Sequence, residues 1–323
     1  MAAALLREYA ARYPEMRFTM VSQAFLKPLF EGVENIRFVA VNTQEKHKGL
    51  CGLWRLFREL RAVRPDVFVD LHSVLRSLII RTLFFVTGAP VYFLKKGRQA
   101  KRQLTRRRRK KIRPLKSMFR RYEQVLQKAL HTQTSLLDSL PPITIKNTAT
   151  AVKKIGIAPF ARYKGKSYPL EKMETVVAHF AVRNDLQLFL FGGGKEEARM
   201  LADWEMRYPS VTSVAGKISL EEELQFMQQL FLMLSMDSAN MHFASLKSVP
   251  VISVWGATHP FAGFYGWRQQ ATNALQVELP CRPCSVFGNK NCYREDYACL
   301  QTLEPAQIIN KIETLLALKG KIE

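Results

Sequence analysis

Acidic residues are the scarce class in this chain: 27 Asp and Glu stand against 49 Lys and Arg, a net charge of +22. That imbalance excludes a surface built to repel anions and favours an anionic partner. Long apolar runs are missing as well. None reaches the ~20 residues that span a bilayer, and the longest candidate, Leu75 to Val86, is broken by Arg76 and Arg81. The N-terminus shows no secretory leader, because Met1-Ala-Ala-Ala-Leu-Leu6 gives way at once to Arg7 and Glu8. Cysteine is sparse, with 5 residues. A cytoplasmic chain is therefore expected, in which disulfides are disfavoured.

What is present points to two α/β domains. A length of 323 residues suggests about two domains at roughly 150 residues each, and 47% hydrophobic residues suffice for buried cores. Strands are predicted at Met16–Val21, Ile36–Val41, Val67–Asp70 and Val91–Leu94. Helices are predicted at Ala2–Ala11, around Ala24–Phe30, at Leu50–Val63, up to Gly88 and at Leu115–Leu130. Such alternation predicts βαβ units and a parallel sheet. Pro141-Pro142 and the polar stretch Lys146–Thr150 predict a boundary, giving domains 1–148 and 149–323. Beyond it the alternation restarts at Lys154–Ala158 and runs through Leu186–Phe191 and Val211–Val214, with helices between. Ligands of doubly wound folds sit beyond the carboxyl ends of the strands.

The charge is concentrated. Lys95 to Arg121 holds 15 Lys or Arg and no acid, centred on Arg106, Arg107, Arg108, Arg109, Lys110 and Lys111. A solvated basic loop is the plain interpretation; nucleic acid or an anionic glycolipid at a membrane surface would be a partner. Composition leaves that choice open.

Four polar motifs follow predicted strands of the second half. Met236-Asp-Ser-Ala-Asn-Met-His242 lies between the apolar runs Leu230–Ser235 and Val249–Trp255. It predicts a strand end turning into a helix over Ala239–Leu246, with Ser238 as N-cap. Free N–H groups and the helix dipole favour an anion there, and Asp237 can accept hydrogen bonds from ligand hydroxyls, so a phosphorylated sugar suits the motif. An ordinary cap and a helix histidine at His242 explain the same residues. Pro159–Pro169 supplies Lys164 and Lys166, able to neutralise a phosphate leaving group or to sit solvated in a loop. Phe191-Gly-Gly-Gly-Lys-Glu-Glu197 matches neither GxGxxG nor the P-loop. Its Gly193 permits close backbone approach, and Glu196 or Glu197 can bind ribose hydroxyls; a tight turn would use the same glycines. Trp255-Gly-Ala-Thr-His-Pro260 brings Thr258 and His259 to the same end of the sheet.

Together and in this order, the four motifs resemble glycosyltransferase family 9, the heptosyltransferases of lipopolysaccharide core assembly, over most of residues 15–315. The family pattern K-x-W-P occurs as Lys166-Ser-Tyr-Pro169, and D-[ST]-G-x-x-H as Asp237-Ser-Ala-Asn-Met-His242. The resemblance implies two Rossmann-like domains facing a cleft, the GT-B architecture. It implies inverting transfer of a heptose or related sugar from a nucleotide-diphosphate donor, ADP-heptose foremost, with no cofactor required. The acceptor would be an anionic lipopolysaccharide core or lipid A at the inner-membrane surface, met by the basic segment. Lys166 would contact the diphosphate, Glu196 or Glu197 the ribose, and Asp237 the sugar hydroxyls, while Ser238 and Ala239 would offer N–H groups to phosphate. Ala239 stands where the family has Gly.

The first half departs from the family pattern. Members open with a strand and a G-D-V-x-x-T-x-P loop whose Asp is the proposed base, and no Gly-Asp loop occurs before residue 15. The chain resembles an N-terminally shortened member, expected to transfer sugar poorly, with Asp70 or His72 as substitute bases. Alternatives are an inactive donor-binding remnant and a nucleic-acid-binding protein. The latter is disfavoured because Phe119 is the single aromatic in the basic segment. Finally, Cys281, Cys284, Cys292 and Cys299 are spaced like a small zinc knuckle, so structural zinc or free thiols are expected, while Cys51 is expected in the core.

Overall fold

Short apolar runs rich in Val, Ile, Leu and Phe make the strands, and helices with one apolar stripe connect them. The computed structural model describes residues 1–145 and 152–318, so the predicted boundary stretch Lys146–Thr150 lies outside the described residues. The first half runs α1 (Ala2–Arg12), β1 (Phe18–Ser22), β2 (Ile36–Ala40), α2 (Gly49–Ala62), β3 (Phe68–Asp70), α3 (Leu75–Val86), β4 (Val91–Phe93), α4 (Arg98–Thr105) and α5 (Met118–Ala129). Ala24–Phe30 is 3-10 rather than α-helical, with Pro28 inside it. A proline has no N–H to give an α-helical ladder.

Among the described residues of this half, β1 pairs with β2 and β3 with β4, all parallel, as two separate two-stranded sheets. Leu53, Leu56, Phe57 and Leu60 recur at helical spacing on α2 and pack with Ile80 and Phe84 of α3. The same cluster takes in Val21, Val39, Phe68 and Val91, one residue from each strand. Cys51 falls off that stripe and is exposed, which corrects its expected place in the core.

The chain divides into two compact units, Met1–Arg98 with Lys116–Leu140 and Gln99–Leu115 with Pro141–Glu323. The expected boundary at 148/149 falls within the second unit, and the middle of the basic segment packs with the second half. Within that unit Leu104 is fully buried, Lys101 lies 4.2 Å from the Phe264 ring centroid, and the Leu115 N–H donates to Phe261 O at 2.9 Å. Gly97 and Pro114 stand beside the two crossings, weaker punctuation than the Pro141-Pro142 pair.

The second unit is built on β5 (Lys153–Ala158), α6 (Leu170–Ala181), β6 (Leu186–Leu190), α7 (Lys195–Arg207), β7 (Val211–Ser213), α8 (Leu220–Met227), β8 (Leu232–Met236), α9 (Ala239–Leu246), β9 (Val251–Val254) and β10 (Ala274–Leu275), closed by α10 (Ala298–Gln301) and α11 (Pro305–Ala317). Its parallel sheet has the order β10-β9-β8-β5-β6-β7. Ile155, Ile157, Leu188, Leu232, Leu234, Ile252 and Val254 are fully buried, as expected when helices cover both faces. The chain proceeds outward from β5 through β6 to β7, then returns to place β8 on the other side of β5. That reversal opens a crevice at the carboxyl ends of β5 and β8. No described helix is long and apolar enough to cross a membrane.

Candidate functional site

All four motifs lie at the carboxyl ends of adjacent strands: Lys164–Lys166 after β5, the glycine turn after β6, Asp237 after β8 and Trp255–His259 after β9. The reversal brings the first and third together. Lys166 Nζ lies 3.0 Å from Asp237 Oδ2, and Thr258 Oγ1 donates to the same oxygen at 2.8 Å. One carboxylate oxygen thus links three strand ends. Both members of the ion pair are largely buried, so their geometry is held by packing rather than left to solvent.

Ser238 takes the N-cap position of α9, as predicted, but its side chain makes no capping bond and pairs with Ser235 Oγ at 3.2 Å instead. Among the described residues no side chain therefore caps the first N–H groups of α9, the arrangement an anion needs. His242 lies on α9 with Nδ1 buried and unpartnered, and burial pushes its pKa well below the usual histidine value. The two glutamates of the glycine turn separate in role. Glu197 Oε2 accepts the Gly193 N–H at 2.6 Å, whereas Glu196 is exposed. Lys164 also departs from its neighbour: its ammonium lies 5.0 Å from the Tyr297 ring centroid, away from Asp237.

His259 is buried, and its Nδ1 accepts the Phe261 N–H at 3.0 Å. In the neutral ring this bond puts the remaining proton on Nε2. Burial first, and the Arg282 charge second, bring its pKa down to about 4. His259 is thus a neutral hydrogen-bond donor near pH 7.

Sequence inspection missed Arg282. It is 2% exposed and bears a charge, yet its described contacts are all uncharged oxygens. Nε donates to Gly256 O at 2.6 Å, Nη2 to Thr258 O and Gln276 Oε1 at 3.0 Å and to Trp255 O at 3.3 Å, and Nη1 to Val277 O. Arg282 therefore ties down the loop that carries Thr258 and His259. The surrounding cysteine loop reaches Lys166 too. A Cβ on Gly288 would lie 2.4 Å from the Lys166 side chain, and its φ of +76° favours glycine. The only hint in the sequence was an arginine inside the cysteine cluster.

The cysteines themselves are free thiols, and no group of three or more His, Cys, Asp or Glu among the described residues is arranged to hold a metal. Of the two expectations for Cys281, Cys284, Cys292 and Cys299, structural zinc or free thiols, the structure records free thiols. Burial pushes Cys299 up to about 12 and raises Cys284, which keeps both protonated.

Asp70, one of the two expected substitute bases, is engaged by its own turn. Its Oδ1 accepts the N–H groups of His72 and Ser73 at 2.9 and 2.7 Å, and Oδ2 faces Arg81 Nη1 at 3.3 Å. A carboxylate held this way shapes the turn after β3. His72 is exposed, with a pKa lowered by partial burial of the ring and then by Lys96. In the basic segment, Lys110 donates to Cys281 O at 2.6 Å and Arg107 stacks on Tyr293 at 4.5 Å. Arg106 is partly buried, while Arg108, Arg109 and Lys111 are exposed.

The model of glycosyltransferase family 9 (heptosyltransferase) matches residues 53–293. Lipopolysaccharide heptosyltransferase 3 of Escherichia coli is 27% identical over 170 residues, 48% of this chain and 48% of that protein. The match thus spans about half the length of that curated relative. Among solved structures, the glycosyltransferase family 9 protein of Veillonella parvula aligns at a TM-score of 0.71 and 19% identity, covering 97% of this chain and 92% of that one. Heptosyltransferase WaaC of Escherichia coli, solved with ADP, aligns at 0.67 and 17% identity, covering 97% and 94%. These likenesses bear out the expected α/β GT-B fold.

Two outcomes test the site's construction. Arg282→Met should lower unfolding stability by about 3 kcal/mol or more, since several buried carbonyls lose their donor at roughly 1–3 kcal/mol each. An unfolding free energy from denaturant titration within roughly 0.5 kcal/mol of the wild type, the ordinary surface range, would contradict the clamp. For His259, the unfolded ring takes up its proton near pH 6.5 and the folded ring only near 4. Its stabilisation is therefore complete above about pH 6.5 and is lost as pH falls toward 4. Thermal unfolding of His259→Gln should lose less on acidification across that window than the wild type; parallel curves would refute it.

Proposed function

The chain belongs to glycosyltransferase family 9 (heptosyltransferase), and on that premise we propose that its second unit binds a nucleoside-diphosphate sugar and directs the sugar to a lipopolysaccharide core acceptor. The observation that carries this is the shared Asp237 oxygen, with a lysine and a threonine converging on it beside the open N-terminus of α9. ADP-heptose is the donor favoured, since the WaaC structures hold ADP and ADP-2-deoxy-2-fluoro heptose. On donor binding Lys166 leaves Asp237 for the diphosphate, and the freed carboxylate accepts sugar hydroxyls. Glu196, the unengaged glutamate, takes the ribose. The acceptor hydroxyl attacks the anomeric carbon from the face opposite the diphosphate; its proton passes to a base and the sugar–phosphate bond breaks with inversion. Lys166 and the α9 N–H groups stabilise the departing charge. Such a displacement asks for no cofactor. The exposed Arg108, Arg109 and Lys111 face the anionic acceptor.

A second reading, donor binding without transfer, is favoured by the first unit, where Asp70 is fully engaged and the four described strands form two separate pairs. Calorimetry with ADP and ADP-heptose, followed by a product assay, separates the two, because both readings need binding and only one yields product.

Asp237→Ala should weaken ADP-heptose about 10- to 100-fold, the scale of a charged hydrogen bond, and leave ADP within a few-fold. Equal losses for both ligands would make Asp237 purely structural. Changing Arg108, Arg109 and Lys111 to Gln should weaken binding of a phosphorylated core oligosaccharide and spare ADP. The difference should shrink with added salt, since exposed charges are screened over about 8–10 Å. Oligosaccharide binding that is insensitive to both salt and substitution would count against this assignment.

A further inference from the structure

Helices α2 and α3 lie on one side of the first unit's strands, because their inner residues share one cluster with Val21, Val39, Phe68 and Val91. Their outer faces therefore meet solvent on the same side. That surface is strongly apolar: Leu50, Trp54, Leu75, Leu78, Phe85 and Val86 are all exposed, Trp54 by 53% and Phe85 by 71%. Arg55, Arg58, Arg61 and Arg76 are exposed among them. Glu59 is the sole acid of the two helices, and it is held by Lys46 at 2.8 Å and His47 at 3.2 Å. No exposed position on either helix carries an acid.

Six large apolar side chains exposed on two helices that pack together mark an interaction site. Its chemistry selects the partner. Leucine and phenylalanine suit the acyl boundary, tryptophan the headgroup level, and arginine the lipid phosphates. A second copy of the same face would set arginine against arginine with no acid between them. We propose that the outer face of α2 and α3 docks this protein on an anionic lipid bilayer, lying on the surface without crossing it. The inference goes beyond sugar transfer and would hold equally for a protein that only binds donor.

The test is co-sedimentation of the full chain with vesicles of phosphatidylglycerol and phosphatidylcholine, against phosphatidylcholine alone. Wild type should bind the mixed vesicles and scarcely the neutral ones. The variant Arg55→Gln/Arg58→Gln/Arg76→Gln should lose roughly 100-fold in partition, at about tenfold per 1.4 kcal/mol and about 1 kcal/mol per arginine near the surface. The variant Trp54→Ser/Leu78→Ser/Phe85→Ser should lose the binding that survives high salt. Both should keep wild-type unfolding curves and ADP affinity, so lost vesicle binding cannot be misfolding or a failed donor site. Wild-type binding by both variants would overturn the proposal, as would no vesicle binding by the wild type. Vesicle binding removed only by changing Arg108, Arg109 and Lys111 would move the docking surface to the basic segment. A dimer broken by the apolar variant would replace the bilayer with a second copy.

Discussion

One oxygen atom, Asp237 Oδ2, organises the second unit's site. Lys166 reaches it from the loop after β5 and Thr258 from the loop after β9, while Asp237 itself ends β8. The contact exists because the chain reverses between β7 and β8 and so sets β8 beside β5. Buried ion pairs add little net stability, yet removing one member is costly, about 3–5 kcal/mol, because the other charge stays behind. The pair is therefore held ready. An arriving phosphate can take the lysine only if something else satisfies the carboxylate, and a hydroxylated sugar does both in one ligand.

Arg282 supplies the outer support for this arrangement. A buried cation with no carboxylate partner is costly in isolation, and here the carbonyl oxygens of Gly256, Thr258 and Trp255 offset that cost. The same loop sets Gly288 against the Lys166 stem. The cysteine cluster, which in the linear chain suggested a metal, belongs to a segment whose arginine and glycine brace the Lys166–Asp237–Thr258 cluster. The cation also adds to the forces that keep His259 neutral.

Much of this was legible beforehand. Apolar runs that end in polar clusters located β5, β6, β8 and β9 within a residue or two, and with them Lys166, Asp237 and Thr258. That works because a parallel strand buried on both faces admits little polar residue until it ends. Cys51 was legible in principle, since it lies off the stripe of Leu53, Leu56, Phe57 and Leu60. Other features depend on contacts distant in sequence. Nothing local to Arg282 says that its partners lie at Trp255–Thr258, and nothing near Lys164 turns it toward Tyr297. The assignment of Gln99–Leu115 to the second unit depends likewise on Lys101 meeting Phe264. Helix α11 was missed although Pro305 opens it and Ile308, Ile312 and Leu315 give it an apolar stripe.

The central claim is that the Lys166–Asp237 pair opens to admit a diphosphate. A crystal structure of the complex with ADP-heptose tests it most directly. The account predicts a diphosphate at the N-terminus of α9, with Lys166 Nζ within about 3 Å of a phosphate oxygen and no longer on Asp237. A nucleotide sugar bound elsewhere, or a Lys166–Asp237 contact unchanged beside bound ADP-heptose, would contradict it.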